Sequence, residues 1–398
     1  MPGQGLGLVD GFEYAGIRVG GKKNNIGLVF STVENTVGAA VYTKSDIVAA
    51  PVILSKEMDA HSPRKRAVMI NSGTANAFTG RQGVADAREM IKKLAETLAI
   101  EEHECYVGST GVIGEKLEID HIVGGIEELV RSKNRENSAD FIEAIMTTDT
   151  KMKQSSVSLE LDHKEVHMAA CAKGSGMIMP DMATMLCVVT TDVSIQPDLL
   201  QEALRQCVKT TMNCVTVDGD TSTNDTVFIL ANGVAGNRTI CQQDENYDRF
   251  VEKLTELLEE MAKQIVHDGE GITKFITLRI RQTPSEETAK KIAFSIANSP
   301  LVKTAMFGES LNWGRLMMAI GKAQTGIDCS RIDIIINGVQ ILRDSELLGS
   351  EAYDAAQNSL KGYENTIEID FKAGDQEYRV WTCDFSYDYV KINADYLT

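Results

Sequence analysis

The chain has 398 residues, with 40 Lys plus Arg against 57 Asp plus Glu, giving a net charge of −17 and a pI near 4.9. That acidic balance argues against non-specific binding to nucleic acid or anionic lipid. Hydrophobic residues at 43% and charged residues at 24% are those of an ordinary globular protein, which excludes disorder and collagen-like repeats; the length suggests two or three folding units.

In chain order, residues 26–30, 38–42 and 67–70 read as strands, the last running into the turn-rich stretch 71–80. Ala87, Met90, Ile91, Leu94 and Leu98 then recur at helical spacing. Residues 106–114 form a short apolar strand ending in a glycine turn, followed by helices over 122–131 and 141–146. A hairpin follows, with strands 156–161 and 166–170 around a turn at 162–165. Beyond it come a strand at 186–190, a helix begun near Pro197, and a long amphipathic helix from Phe250 to Ile265 closed by Gly269. Residues 275–281, 332–336 and 367–371 alternate at period two, as half-buried antiparallel strands do, with helices near Ser285 and Trp313 between them. Strands do not alternate strictly with single helices, so the pattern predicts an α+β fold with helices stacked on antiparallel sheets, not a doubly wound parallel sheet. Without a Pro-rich or Ser/Gly-rich linker, and with no repeat of roughly 20 to 50 residues, there is no obvious place to divide the chain.

The eight cysteines (Cys105, Cys171, Cys187, Cys207, Cys214, Cys241, Cys329, Cys383) form no CxxC and read as small buried hydrophobes in a reducing cell. The opening MPGQGLGLVDGFEY lacks a basic stretch followed by an apolar run, and no apolar stretch approaches ~18 residues. The expectation is a cytoplasmic protein, or an organellar one after processing of a precursor, with no membrane span.

Residues 16–23 match GxxxxGK but place Lys23 where a P-loop needs the Ser or Thr that coordinates magnesium, so they read as a surface turn. His163 and His167 are four apart yet fall in the hairpin, where that spacing gives no shared face for a metal. There is no GxSxG, and none of the six histidines has an evident Ser or Cys partner. Three segments hold chemistry. Residues 173–186 combine Lys173, two glycines that let a ligand approach the backbone, and Pro180 before a strand. Residues 216–226 are polar between apolar stretches but lack the spacing and terminal Glu of a calcium loop, leaving Asx and Ser/Thr turns as the simpler reading. The Thr-Gly pair within residues 109–114 either aims donors at an anion or simply turns the chain.

Taken in order, residues 109–114, 173–186, 218–225, 312–315 and 389–398 resemble the ornithine acetyltransferase family, many of whose members are also glutamate N-acetyltransferases. The resemblance spans nearly the whole chain. It implies a layered helix–sheet–sheet–helix sandwich of the self-processing, N-terminal-threonine nucleophile (DmpA-like) kind. The cleaved bond would be Ala183–Thr184, giving an alpha chain of residues 1–183 and a beta chain of 184–398. Thr184 would be the nucleophile, with Thr110 and Gly111 as the oxyanion hole. Substrate contacts carry over to Thr147, with Thr148 beside it as the alternative of a one-residue shift, and to Lys173, Thr184, Glu270, Asn393 and Thr398. A carboxylate suits Lys173 and an ammonium suits Glu270. A threonine hydroxyl needs a base beside it, and a freed α-amino group is such a base, which accounts for the missing histidine.

The resemblance further implies N2-acetylornithine and glutamate as substrates, no metal and no cofactor, and a heterotetramer of two alpha and two beta chains. It leaves open whether acetyl-CoA also serves as an acyl donor. A self-processing aminopeptidase using the same threonine and a non-catalytic amino-acid-binding protein are the rival readings. The chain departs from the family's usual residues at Asp181, Met179, Thr74, Phe78, Ser310 and Leu311, none of which is a proposed catalytic group.

Overall fold

The computed structural model describes residues 5–20, 25–179 and 185–395. They fall into two compact units, one running to Asn213 and resuming over Asp220–Ile265, the other made of Cys214–Gly219 and the chain from Val266 onward.

The first unit contains β1 (Phe12–Ile17), β2 (Ile26–Ser31), β3 (Val37–Tyr42), α1 (Ala50–His61), β4 (Ala67–Thr74), α2 (Gly80–Leu98), β5 (Cys105–Val112), α3 (Ile119–Arg131) and α4 (Ser138–Ile145). It continues with β6 (Lys153–Leu161), β7 (Lys164–Lys173), β8 (Leu186–Thr191), α5 (Pro197–Thr210), β9 (Thr226–Ala231) and most of α6 (Glu245–His267). Two sheets result, of order β1-β2-β4-β5 and β3-β9-β8-β7-β6. Alternate side chains of the first sheet face opposite ways, as the pleat requires. Leu28, Met69 and Val107 pack with Leu54, Met90, Leu94 and Ile126 of the helices α1, α2 and α3. Val29, Val68, Ile70 and Tyr106 pack against Cys171, Val188, Phe228 and Leu230 of the second sheet. The neighbouring Cys187, Val189, Val227 and Ile229 are buried too, on that sheet's far side. There Gln201 of α5 donates to the Ala40 carbonyl at 3.0 Å, and Cys207 of α5 donates to Val251 of α6 at 3.5 Å. Layers of helix, sheet, sheet and helix follow, as the resemblance implies.

The sheets are mixed, which corrects the expectation of antiparallel ones: β4 pairs with β5, and β8 with β9, in parallel. Each of these pairs is joined by a long connection bearing a helix, α2 or α5, which is what a parallel crossover needs. Orientation is hidden in the sequence because β8 and β9 are buried at every position and so lose the alternation that would mark a solvated face. The hairpin turn is also tighter than expected. Leu161 pairs with Lys164, so only Asp162 and His163 turn the chain, both with positive φ (51° and 62°) as a type I′ turn demands. His163 sits at the tip, whereas His167 lies on β7 with Nδ1 3.2 Å from Asp192 Oδ2. Among the described residues no cluster of His, Cys, Asp and Glu could hold a metal ion.

The second unit contains β10 (Phe275–Thr283), α7 (Glu286–Ala297), α8 (Pro300–Phe307), α9 (Trp313–Lys322), β11 (Asp333–Ile336) and β12 (Val339–Arg343). β13 (Glu346–Leu347), α10 (Ser350–Ser359), β14 (Glu364–Asp370), β15 (Gln376–Cys383) and α11 (Tyr387–Asp395) complete it. Its sheet has the order β13-β12-β11-β14-β10-β15, again with one parallel pair, β10 and β14. Ser285 caps α7 by accepting from Thr288 N at 3.1 Å, and Asn312 caps α9 by accepting from Arg315 N at 3.2 Å. α7 packs on β10 and β15. Among the described residues no helix is long and apolar enough to cross a membrane.

Candidate active site

Thr110 and Gly111 lie near the end of β5, where the pairing with β4 shifts register between Gly73 and Thr74. Gly111 has φ 131°, and a Cβ there would stand 2.2 Å from the Gly73 carbonyl carbon, so both backbone angle and space require glycine. Buried side-chain amides hold this strand end on two sides. Ser109 Oγ donates to Asn71 Oδ1 at 2.6 Å, and Asn71 Nδ2 donates to the Thr74 carbonyl at 3.0 Å. From the polar loop before β9, Asn224 Nδ2 donates to the carbonyls of Ser109 (2.8 Å) and Ala75 (2.6 Å). In the first unit, that loop therefore braces the Thr110–Gly111 segment. Satisfied buried amides of this kind fix a backbone more firmly than solvent-exposed ones.

Lys173 is the last residue of β7, and its Nζ donates to Thr110 Oγ1 at 3.2 Å. Behind it sits Asp149, in the connection between α4 and β6, with a fully buried side chain. Its Oδ1 accepts from Lys153 Nζ at 2.6 Å and from Gly174 N at 2.7 Å, and its Oδ2 accepts from Thr147 N at 3.0 Å. Burial alone would push this carboxyl up. The charges of Lys173 and Lys153, with the Gly174 N–H, outweigh it and hold the group well below the usual carboxylate range. Thr147 is thereby drawn to the same cluster through its backbone, while the Thr148 hydroxyl lies 2.6 Å from Ser175 Oγ. Sequence reasoning missed Asp149, and the only available signal was a single carboxylate among hydroxyl residues at 147–150.

In the second unit Glu270 is buried three residues beyond the end of α6. Its Oε2 accepts from Asn393 Nδ2 of α11 at 2.8 Å, and the same amide donates to the Tyr389 carbonyl at 3.0 Å. The turn after Glu270 has no room for a side chain: Gly271 has φ 68°, and a Cβ on it would stand 2.3 Å from Tyr389 N. Asp384 fixes the following backbone by accepting from Thr273 N (2.9 Å) and Lys274 N (2.8 Å). The structure thus brings Thr110, Lys173 and Thr147 together in one unit, and Glu270 and Asn393 in the other. Ala183, Thr184 and Thr398 lie outside the described residues.

A layered helix–sheet–sheet–helix unit with a cation and a hydroxyl at a glycine-bearing strand end defines an α+β protein with a polar cluster suited to a small anionic ligand. Comparison with known proteins gives the particular kind. The ArgJ family model matches residues 11–398. An arginine biosynthesis bifunctional protein ArgJ from Oceanobacillus iheyensis is 40% identical over 390 residues, covering 98% of this chain and 95% of that protein. Its counterpart from Geobacter sulfurreducens is 42% identical over 393 residues, covering 98% and 100% respectively. The crystal structure of arginine biosynthesis bifunctional protein argJ from Bacillus halodurans is 40% identical, with a TM-score of 0.51, over 54% of this chain and 100% of that one. The chain belongs to the ArgJ family and is an acyltransferase of arginine biosynthesis.

Proposed function

We propose that the protein carries acetyl from N2-acetyl-L-ornithine to L-glutamate on Thr184, after cleaving its own Ala183–Thr184 bond. The Thr184 Oγ attacks the acetyl carbonyl carbon while its proton passes to the α-amine freed by cleavage. The oxygen that becomes negative is met by donors at Thr110 and Gly111. The C–N bond then breaks, the proton moves to the departing nitrogen, ornithine leaves, and an acetyl ester remains. Glutamate's neutral α-amine attacks that ester in turn, releasing N-acetylglutamate and restoring the hydroxyl, which is ping-pong kinetics. An α-amine with a reference pKa of about 7.7–8.0 is neutral often enough near pH 7 to act as the base.

The contact between Lys173 Nζ and Thr110 Oγ1 beside Gly111 supports the reading most directly, because it sets an ammonium next to the groups proposed to polarise a carbonyl. Processing draws support from length. Residues 184–398 number 215 of 398, or 54%, the share of this chain that matches the whole of the Bacillus halodurans chain. Lys173 and Thr147 suit a substrate carboxylate, and Glu270, oriented by Asn393, by its own chemistry suits an ammonium. The chemistry calls for no cofactor or metal, and whether acetyl-CoA also acylates Thr184 is decided by incubating the enzyme with acetyl-CoA and glutamate alone. By resemblance the processed chains assemble as two alpha and two beta chains in the cytoplasm.

Incubation with N2-acetylornithine, with and without glutamate, tests the reading. Transfer gives ornithine and N-acetylglutamate in equal amounts when glutamate is present and at most one turnover without it. Continuous ornithine release without glutamate would mean hydrolysis, the aminopeptidase alternative. Thr184→Ala is expected to abolish both cleavage and transfer.

A further inference from the structure

Asp149 has no role in the chemistry above, yet parts of the site converge on its two oxygens. Thr147 lies two residues before it, and Gly174 directly follows Lys173, so one carboxylate ties two separate connections through N–H bonds of 3.0 and 2.7 Å. From the neighbouring strand, Lys153, which pairs with Ala172, brings its Nζ to 2.6 Å of the same Oδ1. Neither side chain of this ion pair meets solvent appreciably. Were the carboxylate's charge absent, the buried Lys153 and the half-buried Lys173 would lose the anion whose charge acts on both. Like charges so placed repel and shift side chains or protonation.

We propose that Asp149 is a positioning residue for acyl transfer: it holds Thr147 and Lys173 in the arrangement that receives the substrate carboxylate, acting through them and not on the reacting atoms. The inference rests on the reading that Lys173 contacts substrate.

The test is a double-mutant cycle of Asp149→Asn and Lys173→Met, reading KM and kcat for N2-acetylornithine separately. Lys173→Met alone is expected to raise KM by about tenfold or more, as loss of a charge-assisted contact does. Asp149→Asn should raise KM by a similar factor with kcat changed far less, and the double variant should exceed Lys173→Met by less than the product of the two factors, because part of the Asp149 effect runs through the same ammonium and only the Thr147 share is left. A purely structural aspartate would leave KM unaltered or give factors that multiply in the double variant, and either result overturns the inference. If Lys173→Met leaves KM unchanged, the substrate-contact reading falls and the inference with it. If Asp149→Asn alone does not accumulate as folded protein, Asp149→Asn/Lys153→Met removes the buried ion pair as a unit. It is still expected to raise KM, since the Thr147 N–H and Lys173 then lose the hold of the carboxylate, and an unchanged KM overturns the inference.

Discussion

Lys173 and Leu186 stand opposite each other in the antiparallel pairing of β7 with β8, one on each side of the bond proposed to break. The register runs from Met168 against Thr191 to Lys173 against Leu186. The sheet interleaves β3, β6 and β7 from before the bond with β8 and β9 from after it. Cleavage is therefore expected to leave one particle. Size exclusion under native conditions should give a single peak that resolves into two bands only on a denaturing gel; fragments eluting separately would contradict the shared sheet.

The close approach of Gly111 to Gly73 makes Gly111→Ala a demanding change. The added methyl would sit 2.2 Å from a backbone carbon, at a φ of 131° that L side chains rarely adopt. A cost of about 3 kcal/mol or more is expected from combined overpacking and strain. Urea denaturation in a Thr184→Ala background measures it without cleavage intervening. Unchanged stability in that background would show that the strand end is not shaped as described.

Asp149 gives a pH dependence of definite sign. Although burial raises its carboxyl, Lys173, Lys153 and the Gly174 N–H hold the folded value below the unfolded one, which lies near about 3.9. Between those two values the unfolded chain binds more protons, so the stabilisation is complete above about pH 5 and lost as pH falls through the folded value. Asp149→Asn should flatten the acid limb of a melting-temperature profile between about pH 5 and pH 2 relative to the parent. An acid limb of unchanged slope would remove Asp149 as a contributor.

Cysteine chemistry follows burial. Cys241 is exposed and Cys329 half-buried, whereas the other six are buried, and burial pushes the thiols of Cys171 up to about 12 and Cys207 to about 11. Thiolate is the reactive form. At pH 8 a thiol reagent is expected to label Cys241 first in the folded protein and all eight only after denaturation, as peptide mapping would reveal. Rapid labelling of Cys171 or Cys207 would contradict the packing around β7 and α5.

What the sequence made legible depended on solvent. Where one face is wet, as in α2 or the strand β10, periodicity located the element within a few residues. β1 escaped notice because Phe12 and Tyr14 pack on one side and Ala15 and Ile17 on the other, leaving no polar alternation. α8 did carry a local signal, Ser299 as cap with Pro300 after it, but at eight residues it offers little periodicity to read. The candidate residues came from motif order. Their supports depend on contacts far apart in the chain, Asn224 with Ser109 and Asp149 with Gly174, which no local pattern encodes.

The central claim is that an acetyl group rests on Thr184 between two metabolites. Intact-mass measurement of the fragment beginning at Thr184, taken after exposure to N2-acetylornithine alone, tests it directly. That fragment is expected to gain one acetyl group, localised to Thr184, and to lose it on addition of glutamate with N-acetylglutamate appearing in equal amount. An active enzyme whose chain is unbroken at residue 184, or whose fragment never carries acetyl while transfer proceeds, would contradict it.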